Sequence, residues 1–424
     1  MVSVSEITFG PLGCAPQSAG DFHPMSSPSD NLHTASLNPP PLNTDPGSAY
    51  HPSQRRWQGI PGIEVVNART GGVSGNGGSG SRGKDGGSGP GWLYATWYSG
   101  GDIEGPENYV LLVRSADQGL TWSEPLLVID PAGTVRAFDP VLWLDPLGRL
   151  WFFWSQNFCN ALPRWRTWNG RGGVWFTRCD DPSATRLAWT APQRIANGVM
   201  MNKPVVLADG AWLLPISGWG NIDPKLPELQ TEAGANVYVS TDEGRTFTLR
   251  GGADVPFSTF DEHMVIERRD RSLWLLARTS YGIGQSTSTD AGATWSPGFP
   301  AAIAGPGSRF HLRRLPAAPG AAASSGRLLL VNHRNFTGRS HLTASLSDDD
   351  GITWFAHLLL DERAEVSYPD ATFTADGRIL VIYDRERHAA KEILMVALTE
   401  ADILAGSLVS PGSFTRHLVN RAGS

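Results

Sequence analysis

Short apolar runs bounded by turn residues recur along most of the chain. Leu150-Trp151-Phe152-Phe153-Trp154, Leu213-Leu214-Pro215-Ile216, Leu273 to Ala277, Leu328 to Val331 and Ile379 to Tyr383 are examples. Runs this short, rich in β-branched and aromatic residues, read as buried strands rather than helices. Polar residues stand at the ends of the runs, so each strand changes from apolar to polar as it leaves the core.

A repeat orders these strands. Ser115-Ala116-Asp117-Gln118-Gly119-Leu120-Thr121-Trp122 is followed by Ser240 to Phe247, Ser288 to Trp295 and Ser347 to Trp354, and a worn copy spans Thr177 to Trp189. The shared form is S-x-D-x-G-x-T-W/F. Its chemistry is that of a hairpin turn: the Asp carboxylate accepts backbone N–H bonds across the turn, and the Gly supplies a positive φ. The aromatic residue leaves the turn to pack between sheets. Copies at this spacing leave room for four short strands each. Six sheets are expected, near 57–125, 139–195, 203–250, 261–298, 309–358 and 368–400. The predicted fold class is all-β, a six-bladed β-propeller, with the N-terminal strands completing the last blade.

Composition agrees and excludes alternatives. The 424 residues include 48 Gly, 31 Pro and 16 Trp, only 18% are charged, and the net charge is −6. A helix bundle would favour other residues, an acidic chain has no general attraction for nucleic acid, and no apolar run is long enough for a membrane span. The first 50 residues are rich in Pro and Ser and read as a tail, 51–405 as the propeller and 406–424 as a C-terminal extension. No basic, apolar leader is evident, which makes the cytoplasm the default compartment. Residues 71–91 are Gly-rich and read as a surface loop. No Lys-Ser/Thr follows and no helix opens there, so phosphate binding is not implied. Cys159 and Cys179 could pair only if the fold brings them together. Neither cysteine nor histidine spacing forms a metal signature, so no cofactor or metal is expected.

Each blade opens with polar residues: Gln58 before Ile60-Pro61, Arg136 and Asp139 before Pro140, Asn202-Lys203, Asp261-Glu262-His263, Ser308-Arg309, and Tyr368-Pro369-Asp370. The second strands end in a matching set that includes Gln156-Asn157, Arg278, His333-Arg334 and Asp384-Arg385-Glu386-Arg387. In an antiparallel hairpin the start of one strand lies beside the end of the next, so both sets fall on one face. That face has the profile of an acid/base site for an acidic sugar.

Four such turns on six blades resemble the sialidase (neuraminidase) superfamily and its Asp boxes, over roughly residues 55 to 400. The resemblance implies an exo-glycoside hydrolase with a Tyr nucleophile, a Glu that takes its proton, an Asp acid/base and three Arg that grip the sugar carboxylate. Ser367-Tyr368-Pro369-Asp370, with Ala375-Asp376-Gly377-Arg378-Ile379 beyond it, is similar to the nucleophile segment and implies Tyr368. Gly338-Arg339-Ser340-His341 resembles the third-Arg segment and implies Arg339. Glu262-His263-Met264-Val265-Ile266-Glu267 resembles the segment of the Glu partner, with Glu267 preferred over Glu262. His263 and Asp139 complete the candidate catalytic set. Arg309, Arg278, Arg136, Gln58, Asp370 and Arg385 join Arg339 as candidate sugar-binding residues. The pattern also departs from the family. Gly59 stands where an Arg should precede Ile60-Pro61, Gly282-Ile283-Gly284 occupies the place of the second Arg, and Asp102, Glu104 and Glu107 share the acid/base loop. Two other readings fit the same face: a polysaccharide lyase using His263, Tyr368 and Arg309 on a uronate, and a carbohydrate-binding propeller without catalysis.

Overall fold

The computed structural model describes residues 35–67, 91–159, 172–219, 232–317, 320 and 322–424. Apart from Gly91, the Gly-rich segment at 71–91 lies outside them, as does Cys14. The chain forms a six-bladed β-propeller, every blade an antiparallel sheet taken in chain order. Blade one comprises β1 (Gln58–Val66), β2 (Trp92–Ser99), β3 (Tyr109–Ser115) and β4 (Leu127–Ile129). Blade two comprises β5 (Val135–Leu144), β6 (Leu150–Phe158), β7 (Gly173–Cys179) and β8 (Gln193–Asn197). In blade three the inner strand is split into β9 (Val199–Met200) and β10 (Val205–Val206), which both pair with β11 (Trp212–Gly218). Strands β12 (Gly234–Ser240) and β13 (Thr248–Ala253) complete it. Blade four holds β14 (Ser258–Glu267), β15 (Leu273–Thr279), β16 (Gly282–Ser288) and β17 (Phe299–Pro300). Blade five holds β18 (His311–Arg314), β19 (Leu328–His333), β20 (Leu342–Ser347) and β21 (Phe355–Asp361). Blade six holds β22 (Val366–Phe373), β23 (Arg378–Arg385), β24 (Glu392–Thr399) and β25 (Phe414–Arg421). A short helix, α1 (Glu400–Ala405), with a capping box between Thr399 and Asp402, links the last two strands.

Two boundaries differ from expectation. The outer strand of blade six is β25, drawn from the segment expected to be a C-terminal extension, and not from the N-terminus. Its Phe414, His417 and Val419 lie in a weakly alternating stretch flanked by Gly and Ser, which gives little strand signal. The ring closes instead through side chains and chain ends. Gly423 N–H donates to Pro52 O at 2.8 Å, Arg55 Nη1 to Asn420 Oδ1 at 3.0 Å, and Gln58 Nε2 to Lys391 O at 2.8 Å. Residues 35–50, grouped by sequence with the tail, partly dock on the blades: Gln156 Nε2 donates to Ser36 O and Asn38 O, and Asn43 bridges to Val128. Cys159 and Cys179 are buried and free, so the pairing is not made.

The core lies between blades rather than within them. One apolar cluster joins Ile63, Leu93 and Trp97 of blade one to Leu380, Ile382 and Met395 of blade six. Equivalent clusters fill the other interfaces, and the Asp-box aromatics Phe247, Trp295 and Trp354 pack against three of them. The turns themselves are built as the repeat implies. In the third copy, Asp290 Oδ1 accepts from Thr294 N at 2.9 Å and from Ser288 Oγ at 2.8 Å, while Oδ2 accepts from Thr294 Oγ1 at 2.6 Å. These bonds hold Asp117, Asp242, Asp290 and Asp349 at about 2, below the ordinary value of 3.8.

The blades meet on the axis around one buried cation. Lys203, in the gap between β9 and β10, is 8% exposed. Its Nζ donates to Ile63 O and Leu142 O, each at 2.6 Å, and lies 3.2 Å from Glu64 Oε2 and 3.1 Å from Asp370 Oδ2. Asp370 also accepts from Ile63 N at 2.9 Å, and Glu64 accepts from Thr372 Oγ1. Lys203, Arg309 and His311 hold the buried Asp370 carboxyl well below the usual range, against the opposing effect of its burial.

Two outcomes follow. Lys203→Met leaves two buried carboxylates without their cation and lowers stability by about 3–5 kcal/mol, read as the free energy of urea unfolding. Asp290→Asn lowers the melting temperature at neutral pH. A depressed carboxyl stabilises the fold above its unfolded value and loses that contribution as pH falls through its folded one. The gap between variant and wild type therefore closes as pH falls from 3.8 towards 2.

Candidate functional site

The inner strands carry the same irregularity in several blades. The β1–β2, β5–β6, β14–β15 and β22–β23 ladders each slip near the start of the inner strand, between Gly59 and Gly62, Phe138 and Val141, Asp261 and Met264, and Ser367 and Asp370. Within these bulges Ile60, Asp139, Asp261, Glu262 and Tyr368 have positive φ, from 46° to 59°. Three of the five precede proline. Proline donates no N–H, so it suits the point where a ladder is interrupted. Left-handed backbone at non-glycine residues is strained and re-aims the side chain. Here it turns Tyr368, Glu262 and Asp139 towards the axis.

Tyr368 and Glu262 meet there. Tyr368 Oη donates to Glu262 Oε1 at 3.0 Å, and Arg278 Nη1 donates to Glu262 Oε1 at 2.6 Å and Tyr368 Oη at 2.9 Å. Glu262 Oε2 is buried without a hydrogen-bond partner. Two more guanidiniums flank the phenol ring, Arg387 at 4.2 Å and Arg339 at 5.3 Å from its centroid. Burial, then the Glu262 carboxylate, push the Tyr368 hydroxyl up to about 12, while Arg278, Arg387 and Arg339 pull the other way. Asp139 is also buried. Burial drives its carboxyl well above the usual range, Arg136 opposes this, and the carboxylates of Glu104 and Glu262 add to it. These surroundings favour the protonated, neutral carboxyl of Asp139. Arg136 lies 3.8 Å over the Phe138 ring beside it.

Several predicted residues lie elsewhere. Glu267 is at the far end of β14, where it accepts from Ala208 N at 2.7 Å and pairs with Arg271 at 3.1 Å; Glu262 takes the place beside the tyrosine. The ladder explains this: Asp261, next to Glu262, pairs with Arg278, whereas Glu267 pairs with Leu273 at the hairpin turn. His263 engages blade three instead, with its Nε2 2.7 Å from Asn236 O. The lyase set of His263, Tyr368 and Arg309 is thus not assembled. Asp370 and Arg309 belong to the axial network; Arg309 Nε donates to Asn202 Oδ1 at 2.7 Å, and Asn202 holds the Glu262 and His263 carbonyls. Gln58 holds Lys391, and Arg385 pairs with Glu392 and Glu386.

Two residues that the sequence reading named without giving them a place beside the tyrosine stand close to it. Arg387 is fixed by Asp384 at 2.9 Å, Ser367 Oγ at 3.1 Å and Glu104 at 3.1 Å. A side chain at Gly59 would force it to move, because a Cβ there would stand 2.6 Å from Arg387 Cδ. The signal was present as a glycine in an arginine's expected place and a surplus arginine in the β23–β24 hairpin. Glu104 is the loop carboxylate that reaches this arginine; Asp102 and Glu107 pair with Arg56 at the surface. Among the described residues no three His, Cys, Asp or Glu side chains converge as metal ligands would, and no helix is long and apolar enough to cross a membrane.

The BNR repeat-like domain family matches residues 91–381. A curated sialidase from Micromonospora viridifaciens is 31% identical over 321 residues, which is 68% of this chain and 46% of that protein. The chain belongs to the sialidase superfamily of BNR-repeat proteins. It spans about half the length of this curated relative. Solved structures share the fold: a Hadza microbial sialidase (TM-score 0.59, 20% identity, 78% of this chain and 63% of that one) and the leech intramolecular trans-sialidase (0.60, 13%, 84% and 70%). The Ruminococcus gnavus intramolecular trans-sialidase aligns over 86% of this chain and 98% of its own, at TM-score 0.57 and 14% identity.

Tyr368 offers a direct check on this geometry. Glu262→Gln removes the anion that raises its hydroxyl, so the phenolate forms at lower pH. The midpoint is read as phenolate absorbance that Tyr368→Phe abolishes. Glu267→Gln leaves the midpoint where it is.

Proposed function

We propose that the protein is a sialidase-type exo-glycoside hydrolase that cleaves an acidic sugar through a covalent Tyr368 intermediate. The observation that carries the reading is the 3.0 Å Tyr368–Glu262 hydrogen bond, ringed by Arg278, Arg387 and Arg339. A sugar whose anomeric carbon bears a carboxylate repels an anionic nucleophile, and a neutral phenol avoids that repulsion. Glu262 accepts the phenol proton as Oη attacks the anomeric carbon. The guanidiniums bind the substrate carboxylate and favour negative charge on the phenol oxygen. Asp139, whose buried surroundings favour its protonated form, is the group assigned to protonate the leaving oxygen and then to take a proton from the water that releases the sugar. Glu104 fixes Arg387 in place of the arginine missing at position 59.

A sialoside panel tests this reading. The wild type is expected to release sialic acid with retention of configuration. Tyr368→Phe removes turnover, Glu262→Gln lowers kcat by roughly 100- to 10,000-fold, as expected for a lost general base, and Glu267→Gln stays near wild type. Full activity in Tyr368→Phe would overturn the nucleophile assignment. Glycan binding without turnover in the wild type would favour the carbohydrate-binding reading instead.

A further inference from the structure

One aromatic pair on the Tyr368 face is left out of the core. Phe257, in the turn ahead of β14, is 73% exposed, more than any other Phe, Tyr or Trp among the described residues. Its backbone is left-handed as well, at φ 63°. A bulky side chain rarely takes that conformation, and an apolar ring gains nothing from facing water. The turn is nevertheless fixed: Ser258 N donates to Val255 O at 3.2 Å and Ser280 N to Phe257 O at 3.0 Å. Tyr281, 40% exposed, meets the Phe257 ring edge to face, with centroids 6.2 Å apart. Its hydroxyl reaches over Gly284, where a Cβ would stand 2.7 Å from it.

The pair stands next to the proposed chemistry. The β14–β15 ladder pairs Asp261 with Arg278 and, beyond that rung, Ser258 with Thr279. Phe257 and Tyr281 lie just past it, at the open end of the hairpin that carries Glu262 and Arg278. Arg278 Nη1 is 2.9 Å from Tyr368 Oη. Tyr281 follows Arg278 by three residues, at most about 10 Å of chain. A sugar linked to one held beside Tyr368 comes within reach of the two rings. Their chemistry narrows what that sugar is. Aromatic faces carry the negative end of a quadrupole, and the C–H hydrogens on one face of a pyranose are electropositive. Guanidiniums lie over Phe260 and Tyr368, but among the described residues none lies over Phe257 or Tyr281. An uncharged platform of this kind fits a neutral sugar better than a second acidic one.

We propose that Phe257 and Tyr281 form a platform for a neutral sugar, the unit to which the cleaved acidic sugar is attached. The proposal rests on the Tyr368 reading and sharpens it: the substrate is an acidic sugar capping an oligosaccharide, rather than a simple glycoside.

Two measurements on the full chain test it. The first compares kcat/KM for 3′-sialyllactose, which presents a neutral disaccharide beyond the cleaved bond, with that for methyl α-sialoside, which presents none. The wild type is expected to favour sialyllactose. Phe257→Gly cuts that preference roughly fivefold, the scale of one ring contact, chiefly through the KM for sialyllactose, and Phe257→Tyr keeps it. Because glycine suits a positive φ, Phe257→Gly melts at or above the wild-type temperature. The second measurement is saturation-transfer NMR with lactose and cellobiose, which needs no turnover. At least one disaccharide is expected to give a signal with the wild type that F257G/Y281A abolishes. If no sialoside is turned over, the Tyr368 reading fails by itself, and the disaccharide signal decides the platform. The proposal is overturned if neither disaccharide binds, if binding survives F257G/Y281A, if an active wild type does not favour sialyllactose, or if Phe257→Gly leaves that preference unchanged.

Discussion

A single buried ammonium organises this propeller. Lys203 reaches the axis from the gap in the inner strand of blade three. There it joins backbone carbonyls of blades one and two to carboxylates of blades one and six. A charge in that position is tolerable only because four oxygens surround it. The same constraint reaches the site: Asp370, which faces Lys203, lies two residues after Tyr368. Asn202, which precedes Lys203, holds the carbonyl of Glu262. The two residues at the centre of the proposed chemistry are thus anchored to one network.

Around that anchor, the strained bulges set direction. Left-handed residues recur at the mouths of blades one, two, four and six, and three of the blades place a proline next. The interblade clusters and the axial ion network hold these conformations against their intrinsic cost. The groups on that face are thereby fixed in place.

Family membership and divergence coexist in the same few residues. The scaffold and the Asp boxes are those of the superfamily. The cationic surroundings of Tyr368 are rebuilt: Gly59 leaves a space, and Arg387 enters it from the hairpin of blade six. Arg278, at the end of a second strand rather than ahead of the Asp box, bridges Tyr368 and Glu262. The positive charge that the proposed reading places beside Tyr368 comes from different strands and loops.

By itself the sequence determined what repeats and what is local. The Asp-box turns depend on contacts within four residues, so the hairpins, the blade count and the spacing aromatics were legible. Motifs of the same local kind singled out Tyr368 and Arg339, which the fold brings within 5.3 Å of each other. The tertiary structure decided everything that hangs on register and on contacts between distant blades. Glu262 and Glu267 lie on one strand, and only the bulged β14–β15 ladder settles which reaches the tyrosine. Asp370 and Arg309 read as sugar ligands until the axis places them against Lys203 and Asn202. Arg387 and Gly59 stand 328 positions apart, and their exchange of space exists only once the ring has closed. The outer edge of blade six fell to β25, because strand pairing at the rim follows the edge that β24 leaves open and not the weak pattern of its sequence.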